Sequence, residues 1–313
     1  YQQVAARLRR YRCRAEALDV LQEVFFNVYR YPHRFNCERD DAFRVDQVRV
    51  DEIERGWRLS IPAGSANEYR NAQLDDYSQL ARRRFPHRFT RRVSLLARAS
   101  SDSIPGTWGF GLWNDPFVLS LGFGGNPFRL PALPNAVWFF GASKENYLSF
   151  KNEPRPERNR RSLAAQTKGA STSGFATNAQ PSAQRGVANG FMAQTFRSPK
   201  FHPLLIPAGI ALPFSLKITR RMLGNIIGED GVAVSVDVAE WHRYSLTWEE
   251  KRVSLEVDNI QVFESAVSPN PPLGLVIWID NQYASFTPDG QLGFGALAHS
   301  EPAFLAVREL ESG

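Results

Sequence analysis

Residues 244–258 read YSLTWEEKRVSLEVD, and their alternation sets the architecture. Tyr244, Leu246 and Trp248, then Val253, Leu255 and Val257, place an apolar side chain at every second position, with Ser245, Thr247, Ser254, Glu256 and Asp258 between or beside them. A period of two sends the first set to one face of an extended chain and the second set to the other, so one face is buried and one is wetted. Glu249 to Arg252 form a charged link of hairpin length between the runs, which predicts an antiparallel pair.

The same period recurs on both sides of this hairpin. Trp57–Ile61, Val93–Ala99, Leu273–Asp280 and Phe304–Leu310 are short alternating runs separated by Pro, Gly and Asn. No long helical pattern lies between them, which excludes alternating β-α-β architecture. Residues 44–313 are therefore expected to form one all-β domain, an antiparallel jelly-roll β-sandwich. The 22 Phe and 7 Trp among 313 residues supply enough large apolar surface for such a core.

Two segments depart from this pattern. Over residues 1–43 the period is helical: Val4, Leu8, Tyr11, Ala15, Leu18, Phe25 and Tyr29 follow three- and four-residue steps, interrupted at Gln22 and stopped at Pro32. This N-terminal amphipathic helix can dock on its own sandwich or, given the heptad-like seam, join two copies as a homo-oligomer. Residues 151–190 are rich in Arg, Asn, Ser, Ala, Gln and Gly and read as a long flexible insertion, either unstructured or draped over a groove.

Charge is uneven. Residues 1–100 hold 20 Arg, no Lys and 13 acids, whereas the rest of the chain is close to neutral within a total of +6. The arginines interleave with acids and accompany no nucleic-acid-binding signature, so nucleic acid is not the expected partner. Cys13 and Cys37 show neither a disulfide framework nor metal-ligand spacing. With no basic-then-apolar leader at the start, this mildly favours a reducing compartment, the cytoplasm first. No run is long and apolar enough for a transmembrane helix. The five histidines are scattered without metal-ligand spacing, and His242 reads as a strand-end residue bonded to a neighbouring turn.

The chemistry concentrates in two aromatic-polar clusters. Gly106 to Phe117, GTWGFGLWNDPF, contains Trp108, Trp113, Asn114 and Asp115; Leu275 to Ala284, LVIWIDNQYA, contains Trp278, Asp280 and Asn281. Indoles offer flat apolar faces and the amides and carboxylates offer hydrogen bonds, the combination that holds a sugar's CH face and hydroxyls. A third run, YRNAQLDDY from Tyr69 to Tyr77, presents Asn71, Gln73 and Asp75 on one face if extended. The expected ligand is a saccharide or glycoconjugate bound by Trp108, Trp113, Asn114, Asp115, Trp278, Asp280, Asn281, Gln73 and Asp75. Asp115 and Asp280 are the acids to test as a catalytic pair.

These stretches resemble the concanavalin A-like lectin and glucanase superfamily, nearest to its laminarinase-type glycoside hydrolases. ARASSDSIPGTWGFGLW, Ala97 to Trp113, is similar to that family's ARxS strand leading into a Gly-x-Trp-Pro-Ala-Phe-Trp stretch. WHRYSLTWEEKRVSLEVDN, Trp241 to Asn259, is similar to its FHxYxxxW…VDG strand pair, and Phe304–Leu310 to its last strand. The resemblance implies two curved sheets with a sugar groove on the concave face. It allows a structural calcium ion on the convex face, although no EF-hand-type loop identifies ligands, and no other cofactor is indicated. The family's Glu-x-Asp-x-Glu catalytic strand is missing: the corresponding stretch is AVWFFGASKEN, Ala136 to Asn146. This leaves three expectations in order: a non-catalytic or atypically catalytic carbohydrate-binding protein with a hydrolase-like jelly roll, a glycosidase or polysaccharide lyase with a displaced acid pair, and an interaction protein acting through its N-terminal helix.

Overall fold

The computed structural model describes residues 49–78, 80–116, 132–150, 189–199 and 216–313. The expected helix of residues 1–43 and nearly all of the 151–190 insertion lie outside them. Gly190, at the insertion's C-terminal limit, is the first residue of a strand.

The described chain is an antiparallel β-sandwich. Its strands are β1 (Arg49–Ile53), β2 (Gly56–Ile61), β3 (Asn71–Asp75), β4 (Arg91–Ala99), β5 (Thr107–Trp113), β6 (Ala136–Ala142), β7 (Gly190–Arg197) and β8 (Gly228–Ala233). After these come β9 (His242–Trp248), β10 (Val253–Val257), β11 (Ile260–Ser265), β12 (Gly274–Asp280), β13 (Gln282–Phe286), β14 (Leu292–Ala296) and β15 (Ala303–Ser312). One helix, α1 (Leu216–Ile226), precedes β8. Seven strands form one sheet in the order β1-β2-β15-β4-β9-β10-β11, and six form the other in the order β3-β12-β5-β6-β7-β8, while β13 and β14 make a separate hairpin.

The hairpin expected over residues 244–258 is present: Val253 pairs with Trp248 and Val257 with Tyr244, and the Glu249 N–H donates to the Arg252 carbonyl. The next link is tighter. Asp258 and Asn259 both have positive φ, as a two-residue primed turn into β11 requires, and short polar side chains tolerate that conformation. The Asp258 carboxylate then meets His242 Nδ1 at 2.6 Å and accepts the Arg243 N–H, so His242 ties the strand end to this turn.

The inter-sheet core follows from the alternation. Leu59, Val93, Leu95, Tyr244, Leu246, Trp248, Leu255, Leu305 and Val307 face Trp108, Phe110, Leu112, Val137, Phe139, Ala193, Ile277 and Ile279. Each buried Val, Leu, Ile or Phe among them contributes about 1.5–3 kcal/mol by leaving water. Because this layer takes Trp108, Phe110 and Leu112 from β5, its residues Gly109, Gly111 and Trp113 turn to the outer face of the six-stranded sheet, where the candidate site lies.

Candidate functional site

The register of the six-stranded sheet arranges its outer face in cross-strand rows. Asn71, Asp280, Thr107 and Ala142 form one; Gln73, Trp278, Gly109, Phe140 and Met192 the next; Asp75, Val276, Gly111, Trp138 and Gln194 the third; Gly274, Trp113, Ala136, Phe196 and Glu229 the fourth. The middle of the face is aromatic and its margins are polar.

The two tryptophans expected to meet do so. Trp113 and Trp278 stack with ring centroids 6.1 Å apart and planes 2° from parallel, and Trp138 stands 6.0 Å from the first and 5.7 Å from the second. They do not floor an open trough. Trp113 and Trp138 are 5% exposed and Trp278 7%, and Tyr77, Phe85, Leu133, Phe140, Phe196, Leu223 and Ile226 pack with them into a second apolar cluster. The strand glycines serve this packing. A Cβ on Gly109 would lie 2.9 Å from the Trp278 ring, and one on Gly274 would lie 2.3 Å from Tyr77.

Helix α1 is fastened to this face by Arg220, which is fully buried. Its guanidinium donates to the carbonyls of Phe286, Phe150 and Ser149 at 2.8, 2.8 and 2.6 Å. Burial lowers its pKa, and Tyr147 and Glu229 oppose that effect. Glu229 accepts the N–H of the same Phe150, and the Gln194 amide links Glu229 to the Trp138 indole N–H.

The polar margin beside β3 sets the half-buried Tyr69, Asn71, Gln73, Asp75 and Thr107 around a buried Asp280. Asp280 Oδ1 accepts from Thr107 Oγ1 at 2.8 Å, the Thr107 N–H at 3.2 Å and the Gln282 N–H at 3.1 Å, while Tyr69 donates to Oδ2 at 3.5 Å. Thr107 Oγ1 also accepts the Trp278 indole N–H. Burial pushes the Asp280 carboxyl up to about 7 against these hydrogen bonds. Gln73 donates to Asp75 at 2.8 Å, and Asp75 caps the turn after β3 by accepting from Tyr77 N, Ser78 N and Ser78 Oγ. Asn71 Oδ1 and the Trp113 indole N–H are buried without a hydrogen-bond partner.

Several sequence expectations need correction. Trp108 points into the inter-sheet core, stacked on Phe191 at 5.0 Å, because its even number places it on the face opposite Trp113. Asn114 spends its amide on the Leu133 carbonyl and the Asn135 N–H, shaping a loop. Asn281 is fully buried, binding the Arg70 N–H and the Glu68 and Leu297 carbonyls. Asp115, buried with positive φ, follows the far end of β5, and its carbonyl accepts from Arg82.

Asp115 and Asp280 cannot act as a pair. Asp280 lies opposite Thr107 and Asp115 eight residues beyond it, so at about 3.3 Å per residue they stand more than ~20 Å apart. Retaining and inverting glycosidases need ~5–5.5 and ~6.5–9.5 Å. The other described acids of this face also miss. Asp75 lies opposite Val276, four residues or ~13 Å along β12 from Asp280, and Glu229 is four strand spacings or ~19 Å across. On β6, the outward positions are Ala136, Trp138, Phe140 and Ala142.

Tyr69, Thr107, Trp138, Gln194 and Glu229 were missed in the sequence. Trp138 was legible from strand parity, two positions from Phe140 in an apolar run; the other four have no local signal. Among the described residues no three His, Cys, Asp or Glu side chains cluster as metal ligands, and no helix is long and apolar enough to cross a membrane.

No family model and no curated protein matches the chain. Solved structures with a similar layout include a Bacillus licheniformis β-glucanase, at 10% identity and TM-score 0.38 over 85% of this chain and 82% of that one. A β-1,3-glucanase from Mycobacterium marinum has 12% identity and TM-score 0.37 over 82% and 74%. A GlcNAcα1-4Gal-releasing endo-β-galactosidase from Clostridium perfringens has 10% identity and TM-score 0.38 over 83% and 53%. At such scores the likeness carries nothing about activity.

Proposed function

We propose that the chain is a saccharide-binding jelly roll of the concanavalin A-like kind that does not cleave its ligand. The ligand lies along the polar margin formed by Tyr69, Asn71, Gln73, Asp75, Thr107 and Asp280. The observation that carries this reading is the ladder of half-buried Asn71, Gln73, Asp75 and Thr107 around the buried Asp280 carboxyl on adjacent strands next to Trp278, with the Asn71 side-chain oxygen lacking a donor. A row of mixed donors and acceptors at strand spacing suits the hydroxyls of a sugar. The buried indoles form the rigid floor beneath that margin, in place of the stacking platform expected from the sequence. The carboxylate separations support binding over hydrolysis.

Titration calorimetry against a panel of neutral oligosaccharides, with Gln73→Ala and Tyr69→Phe variants, tests the proposal. The expected result is saturable binding to at least one member, weakened in both variants while their melting temperatures stay near that of the parent. Absence of binding across the panel, or binding indifferent to both substitutions, would overturn it.

A further inference from the structure

The outer face of the seven-stranded sheet carries a cluster of cations with no role in the saccharide margin. Arg58 of β2 and Arg98 of β4 both lie opposite Ala306 of β15, one on each side, so their Cα atoms are about 10 Å apart at two strand spacings. Phe304 and Arg308 flank Ala306 along β15, two residues in either direction. The small, buried Ala306 is thus the floor of a shallow basin with four large side chains around it.

These side chains stack in alternation. The Arg58 guanidinium carbon is 3.9 Å from the centroid of Phe304, that of Arg98 lies 5.6 Å from Phe304 and 5.3 Å from Trp241, and that of Arg308 lies 4.7 Å from Trp241. Ring contacts hold the three guanidinium planes without consuming their N–H groups. None of the three forms an ion pair or side-chain hydrogen bond with a described residue, and the Nε–H groups of Arg98 and Arg308 are buried without an acceptor. Of the carboxylates on this sheet, Glu309 is held by Arg55 and Arg243, and Glu256 by Arg92. Asp51, opposite Arg58 in the register, makes no ion pair with it.

We propose that Arg58, Arg98 and Arg308 form a binding site for a compact polyanion carrying two or more phosphate or sulfate ester groups. Three cations without ion-pair partners within a span of about 10 Å repel one another, and an oxyanion bridging two of them relieves that repulsion and accepts hydrogen bonds from their terminal N–H groups. The chemistry favours a compact ligand over nucleic acid. The guanidiniums already occupy Phe304 and Trp241, denying bases a stacking platform, and Asp51, Glu256 and Glu309 interrupt the positive track that a long phosphate backbone follows. The site faces away from the polar margin and stands independently of the saccharide reading.

Titration calorimetry of the full chain with inositol hexakisphosphate and with a sulfated octasaccharide tests the site, at low and at physiological salt. Saturable binding of either is expected, and the tighter of the two identifies the ester involved. Arg98→Gln and Arg308→Gln should each weaken it by roughly tenfold or more. Arg98→Lys, lacking the planar fork, should restore little. Arg252→Gln, in the β9–β10 connection and paired with Glu249 and Glu264, should leave affinity unchanged. The proposal is overturned if neither polyanion binds, if the Arg98 and Arg308 variants melt lower yet bind as the parent does, or if a single-stranded oligonucleotide binds more tightly than both.

Discussion

Replacing Trp278 by alanine separates a second core from a ligand platform. The indole is 7% exposed, stacks on Trp113, and also meets Trp138 at 5.7 Å and Phe140 at 5.4 Å. Its N–H donates to Thr107 at 3.0 Å. Truncating a buried tryptophan costs about 3–5 kcal/mol. Three ring pairs, each worth about 0.5–1.5 kcal/mol beyond area burial, and one lost hydrogen bond put this site near the upper end of that range. The expected loss is about 4–5 kcal/mol, a large share of the ~5–15 kcal/mol that holds a typical domain together. At roughly 2–4 °C per kcal/mol, melting should fall by about 8–20 °C. Urea denaturation followed by far-UV circular dichroism measures the change, with Trp278→Phe as the comparison that keeps the ring contacts and loses the donor, at about 1–2 kcal/mol. A loss below about 1 kcal/mol for Trp278→Ala, the value of an exposed residue, would refute the packed-face account.

Other consequences are equally direct. The Asp280 carboxyl, ordinarily near 3.8, is raised to about 7 by burial, so ionisation is disfavoured in the folded chain. Relative to Asp280→Asn, the parent should therefore lose stability as pH rises from about 4 to about 7, by up to ~4 kcal/mol; parallel stability curves for the two proteins would contradict this. Arg220→Met leaves three carbonyls without their donor, so it should cost on the order of 3 kcal/mol or more and raise hydrogen exchange in α1; unchanged exchange there would argue against the clamp. Gly141→Ala forces a Cβ to within 2.3 Å of the Trp108 indole and should destabilise by about 1–3 kcal/mol in thermal melts, whereas a neutral result would mean that the ring has room to retreat.

What the sequence reveals about this molecule is set by how local each signal is. A strand's two faces are written in its own alternation, so β2, β4, β9, β10, β12 and β15 were legible from Trp57, Val93, Tyr244, Val253, Leu273 and Phe304 onward. The pairing of Gln73 with Trp278, and of Trp278 with Gly109, depends on which strands become neighbours across some 200 residues of chain, and no local pattern carries that. The sequence pairs Trp113 with Trp278 but leaves their burial open, since an indole beside Asn and Asp reads alike whether the next layer is water or Phe85 and Leu223. Asn114 and Asn281 misled for a related reason: an amide that satisfies buried backbone looks in sequence like one that awaits a ligand. Trp108 was a parity error, legible in its separation by five from Trp113.

On the outer face of the six-stranded sheet Asp75, Asp280 and Glu229 lie too far from one another for a catalytic pair, and on that separation the non-hydrolytic reading stands. Prolonged incubation of the chain with an oligosaccharide that it binds, followed by a count of new reducing ends, tests it most directly. The count should equal that of the sugar alone, for the parent and for Asp280→Asn alike; new ends released by the parent and lost in Asp280→Asn or Glu229→Gln would contradict it.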